Sequence, residues 1–133
     1  MTPQLLDRVS LQRDEDVRPV EAMLRTAEIT TALAEALFRL LERHPDYDFG
    51  APGAVVHFLE SMDRADYEQL LLDSFKRQPT THTTWMLHRL MNACSGAHYA
   101  RLKEELLRAS RSTDESIARR ARELLSVDER ERA

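Results

Sequence analysis

The sequence predicts an all-α fold, on three observations. Leu, Ala, Arg and Glu are abundant in a chain of 133 residues with only three glycines, and these unbranched side chains lose little rotamer freedom on a helix. β-Branched residues are few outside short threonine clusters. Apolar residues recur at three-and-four spacing in segment after segment, as they do on helices with one face in a core. A chain of this length buries about two-thirds of its unfolded surface and needs neither disulfide nor metal to fold. The expectation is one helical domain over residues 1–133, with residues 1–16 and 127–133 loosely ordered.

In chain order, the segment up to Arg18 is polar, has Leu5, Leu6, Val9 and Leu11 as its anchors, and reads as a short helix or arm. Asp16 with Pro19 marks a helix start, since proline is tolerated in a first turn. Val20, Met23, Leu24, Ala27, Ala34, Leu37, Phe38 and Leu41 keep helical spacing as far as Pro45, which predicts one long helix with a weak point at Thr30 and Thr31. Pro45, Gly50, Pro52 and Gly53 then mark an irregular stretch pinned by Tyr47 and Phe49. A short apolar helix follows over residues 53–62, and another carries Tyr67, Leu70, Leu71, Ser74 and Phe75 to Arg77. Thr80 or Thr81 caps the next, which runs to Cys94. After a turn at Ser95 and Gly96, Tyr99, Leu102, Leu106 and Ala109 define a fifth helix. Ile117, Ala118, Ala121, Leu124 and Leu125 define a sixth, capped by Thr113 or Asp114. About six helices with short connections imply stacked antiparallel hairpins, as in a short HEAT-like solenoid, or an irregular bundle.

The formal net charge of −4 is unevenly spread. Residues 46–73 hold Asp46, Asp48, Glu60, Asp63, Asp66, Glu68 and Asp73 against Arg64 alone, a net of −6. From Lys76 onward twelve basic residues face eight acids, a net of +4. An acidic segment repels nucleic-acid phosphate and attracts basic proteins, so a protein partner is expected and nucleic acid is not. No apolar run approaches the roughly 20 residues that cross a bilayer, and the N-terminus lacks the basic-then-apolar order of a signal peptide. A cytoplasmic chain with no membrane partner, monomeric when free, is the expectation. The single cysteine, Cys94, fits a reducing compartment.

The residues that carry chemistry elsewhere lack the required spacing here. None of His44, His57, His82, His88 and His98 stands four residues from another histidine, and no Glu precedes a His by three. His57 and Glu60 share a helix face, but two ligands do not complete a site. Cys94 ends an apolar face with Met86, Leu87, Leu90 and Met91, where a thiol is an inert core residue. No glycine-rich phosphate loop and no Gly-x-Ser-x-Gly elbow occurs. The sequence therefore predicts no enzyme, no catalytic residue, no metal and no cofactor.

The helix over residues 81–94 is the most informative. At 100° per residue, Thr83, Met86, Leu87, Leu90, Met91, Ala93 and Cys94 gather on one side, and the only tryptophan, Trp85, falls with Thr81, His82, His88, Arg89 and Asn92 on the other. Arg89 is four residues from Trp85 and can cover the indole, and Trp with Arg is a frequent hot-spot combination. Trp85 either fills a second packing layer or faces a partner. His57, Glu60 and Ser61 form a similar polar stripe opposite Val55, Phe58, Leu59 and Met62. With Arg89 and Asn92, His57 and Glu60 offer balanced donors and acceptors for a structural polar network.

The order Gly53, Val56-His57-Phe58-x-Glu60, Tyr67, Leu71, Ser74, Arg77-x-Pro79-Thr80-x-x-Thr83-x-Trp85-Met86-Leu87-x-Arg89-x-x-Asn92 resembles the small α-helical immunity proteins encoded beside bacterial polymorphic toxins, including those of contact-dependent growth inhibition. The resemblance covers residues 50 to 94, with His88 where the pattern has asparagine. It implies a non-enzymatic cytoplasmic protein that binds the C-terminal domain of one secreted toxin, a nuclease among the candidates, and occludes its active site. The contact candidates are Asp46, Tyr47, Asp48, Phe49, Asp63, Asp66, Glu68, Trp85 and Arg89. A helical adaptor or scaffold module is the alternative reading.

Overall fold

A computed structural model describes residues 1–132. Among them lie eight α-helices, one 3-10 turn and no strand. The helices are α1 (Pro3–Leu6), α2 (Arg18–Leu24), α3 (Thr31–Arg43), α4 (Ala54–Glu60), α5 (Arg64–Arg77), α6 (Thr81–Asn92), α7 (Gly96–Ala109) and α8 (Glu115–Arg132), with the 3-10 turn at Asp14–Val17. The all-α class is as the composition predicts. The count exceeds six for two local reasons. A one-turn helix, α1, forms behind Thr2, whose hydroxyl accepts from the Leu5 backbone N–H. The single helix expected before Pro45 is two helices, because Thr30 takes an extended conformation and its Oγ1 accepts from Leu33 N at 3.1 Å, starting α3 afresh.

The chain divides into two compact units, Met1–Ser74 and Phe75 to the end, with the boundary inside α5. In the first unit α1 packs on α3, and α2 packs on α4 and the 3-10 turn. Leu6, Val20, Leu37, Leu40, Leu41, Leu59 and Leu71 are fully buried there. The N-terminal arm is firmly seated. Arg39 grips Asp7 through two bonds of 2.9 and 3.0 Å, and Arg43 donates to the carbonyls of Leu6 and Val9. His44 completes the seating: its Nδ1 lies 2.9 Å from Leu40 O and its Nε2 accepts from Leu11 N at 3.0 Å, so the proton sits on Nδ1. A buried carboxylate, Glu42, accepts from Ser74 Oγ at 2.6 Å.

In the second unit α6, α7 and α8 each pack on the other two around Met86, Leu87, Met91, Leu102, Leu106 and Ala121. Pro79-Thr80-x-x-Thr83 is a reciprocal cap. Thr80 Oγ1 accepts from Thr83 N and Thr83 Oγ1 accepts from Thr80 N, both at 3.1 Å and both buried, which satisfies two orphan donors at the start of α6. Asp114 begins α8 with a one-way cap, its carboxylate accepting from Ser116 N and Ile117 N. Residues 127–132, read from sequence as a loose charged end, continue α8 through Arg132 because Asp128 is anchored in the interior.

Candidate partner-binding surface

The loop after α3 separates its acids from its aromatic residues. Asp46 and Asp48 are exposed, while Phe49 is buried and Tyr47 is half-buried. The Tyr47 ring meets Phe49 edge-on at 5.0 Å, and its hydroxyl donates to the carbonyls of Arg13 and Asp14. Burial, with the charges of Asp16, Asp14 and Glu21, raises the Tyr47 phenol above its ordinary value. Both rings thus hold the loop to the 3-10 turn and the core. Two glycines fix the backbone. Gly50 sits at φ +98°, and a Cβ on Gly53 would lie 1.5 Å from the Phe49 carbonyl oxygen. Asp48 closes the turn by accepting from Gly50 N at 2.9 Å.

The second acidic group opens α5. Asp63 precedes the helix and accepts from Asp66 N at 3.3 Å, so its carboxylate serves as a cap. Asp66 is exposed and Glu68 half-buried. Asp46, Asp48, Asp63, Asp66 and Glu68 all belong to the first unit, where fifteen acids face seven basic residues for a net charge of −8. Asp46 and Asp66 are the two exposed acids of this group whose carboxylates make no hydrogen bond or ion pair to a described residue.

Trp85 and Arg89 lie in the second unit, on α6. Both are half-buried, and the guanidinium carbon stands 5.1 Å from the centre of the indole. The residues grouped as a polar network fall in different units: exposed His57 and half-buried Glu60 on α4, half-buried Arg89 and exposed Asn92 on α6.

Sequence reasoning missed the most concentrated charge site. Asp128 on α8 is 1 % exposed and bonded to the Tyr99 hydroxyl and to Arg132 Nε at 3.1 Å, with Lys103 Nζ at 3.9 Å and His88 Nε2 at 4.0 Å. Arg132 and Lys103 both lie over the Tyr99 ring, the former at 3.8 Å. Burial opposes the Asp128 charge, but the Tyr99 bond and the two cations outweigh it and hold the carboxyl below its ordinary value. Burial also lowers His88, against the pull of Asp128, so the imidazole is neutral at pH 7. The signal was present in the acid at 128 on the apolar face of Ala121, Leu124 and Leu125, seven residues after Ala121. The site is occupied by its own counterions and works as a clasp.

No family model matches this chain, and neither a curated protein nor a solved structure does.

Proposed function

We propose that this chain is an immunity protein, which binds the C-terminal domain of a cognate secreted toxin and neutralises it by occluding its active site. The observation that supports the reading most is the first unit's net charge of −8, with Asp46 and Asp66 exposed and unengaged. Such a surface suits a partner with a basic cleft, as a nuclease has, and raises the encounter rate through long-range attraction. The resemblance over residues 50 to 94 supplies the functional class. Several of its residues serve the fold, among them the Thr80–Thr83 cap, buried Met86 and Leu87, and Ser74 on Glu42. Contact residues are accordingly sought among side chains that hold nothing in the fold, first among the acids. Among the described residues no helix is long and apolar enough to cross a membrane.

Co-expression tests this. Where a large secreted protein with a variable C-terminal domain is encoded directly upstream, that domain should be toxic alone, harmless beside this chain, and should purify with it as a stoichiometric complex. Toxicity undiminished by this chain, with no complex formed, would remove the immunity reading. A stable complex with some other cellular protein would favour the adaptor.

A further inference from the structure

Between α2 and α4 of the first unit opens a pocket of about 410 Å³ lined by Glu21, Leu24, Arg25, Ala54, His57 and Phe58. Its floor is apolar, with Leu24 buried and Ala54 and Phe58 half-buried. Its rim is polar and unengaged: none of Glu21, Arg25 and His57 makes a side-chain hydrogen bond or ion pair with a described residue. Glu21 and Arg25 are four apart in the order that pairs best along a helix, yet they do not pair. The rim thus presents an acceptor on one turn, a donor on the next and an imidazole across the pocket. This combination matches a polypeptide, whose backbone offers both N–H and C=O beside each side chain.

We propose that this pocket anchors a basic protein partner, which inserts one apolar side chain between α2 and α4. Leu24, Ala54 and Phe58 receive the side chain, Glu21 accepts from a backbone N–H or a flanking Lys or Arg, and Arg25 and His57 donate to backbone carbonyls. The rim itself sets one acid against one base, and it is the surrounding unit, of net charge −8, that draws a basic partner toward it. The pocket is an open depression that a partner would cover, and apolar anchors ringed by polar contacts and desolvated on binding are where interface energy concentrates. The inference rests on the immunity reading for the class of partner and adds the place of contact.

The test uses the full chain against a displayed library of random linear peptides, with Ala54→Leu to fill the pocket, Glu21→Gln to remove the acceptor and Lys76→Ala as a control in the second unit. Enriched peptides should share an apolar residue beside Lys or Arg. They should bind Ala54→Leu at least about tenfold more weakly at unchanged melting temperature, bind Glu21→Gln several-fold more weakly, and bind Lys76→Ala as they bind the original. If Ala54→Leu does not fold, Glu21→Gln decides alone, since its carboxylate holds nothing in the free protein. Failure to enrich peptides, acidic flanks in the enriched set, or binding indifferent to both pocket variants would overturn the proposal. Protection from the toxin that survives both variants would remove the pocket and leave the immunity reading standing. Peptide binding at the pocket without protection would do the reverse.

Discussion

The two units balance their carboxylates differently, the first with a net charge of −8 and the second with +4. In the second unit one carboxylate, Asp128, is drawn inside and met by Tyr99, Arg132 and Lys103, so its charge is spent on holding α8 to α7. In the first unit, fifteen acids outnumber seven basic residues, and many stand in solvent, Asp46 and Asp66 with no partner among the described residues. Buried charge with its counterions close by acts at short range and sets local structure. Exposed charge without counterions destabilises the unit slightly through self-repulsion and acts at a distance, which favours association. Glu42 is the exception in the first unit, buried with Ser74 as a donor, and it shows that the distinction follows placement rather than sequence neighbourhood.

The largest expected effect tests whether the first unit is held by its apolar core despite its charge. Phe38 is 1 % exposed and its ring lies 6.3 Å from that of Tyr67, so Phe38→Ala should cost about 3 to 5 kcal/mol, read by denaturant unfolding. A loss below about 1 kcal/mol would mean that the unit does not depend on this core. Next comes the clasp. Asp128→Asn keeps the shape and removes the charge, and should cost about 2 kcal/mol because the cations it releases reach solvent. Trp85, the only tryptophan and a member of the second unit, supplies the fluorescence readout.

Acid should separate the same groups in sequence. Burial holds His88 below its ordinary 6.5, so as pH falls through that value the unfolded chain binds a proton that the folded unit refuses, and stability declines. Asp128 is held below its ordinary 3.8, so its contribution is complete above that value and is lost as pH falls toward the folded value. His88→Phe should abolish the first decline and leave the second. An original chain equally stable at pH 7 and pH 5 would contradict this account of the clasp. The smallest effect on stability belongs to the exposed acids: Asp46→Lys should change it by no more than about 0.5 kcal/mol, and Asp66→Lys, in the first turn of α5, should cost no more than about 1 kcal/mol.

The helical class was legible because periodicity and composition agree along the whole chain, and the caps at Thr80 and Asp114 announce themselves through residue type. The break at Thr30 was harder to read, since apolar spacing continues past it and only the hydroxyl's bond to Leu33 N restarts the helix. Tyr47 and Phe49 were recognisable as loop pins, but their partners in the 3-10 turn and the core are tertiary facts. The end of α8 misled for the opposite reason. A run such as Asp128-Glu129-Arg130-Glu131-Arg132 looks solvated, and although the apolar spacing from Ala121 turns Asp128 inward, its enclosure by Tyr99 and Lys103, a helix away, is a tertiary fact. The α2–α4 pocket likewise required Glu21 and His57 to be brought together across thirty-five residues of chain.

The most direct test of outward-acting charge in the first unit is the association rate of this chain with its toxin domain across ionic strength. The double variant Asp46→Lys, Asp66→Lys spares the capping acids Asp63 and Asp48 and so leaves the fold intact. For the original chain the rate should fall steeply with salt, since attraction is screened beyond about 8 Å at physiological ionic strength. For the variant, whose first unit keeps a net charge of −4, it should be about tenfold slower at low salt and fall less steeply with salt, with a smaller change in dissociation. Equal rates and equal salt dependence for the two proteins would contradict the account.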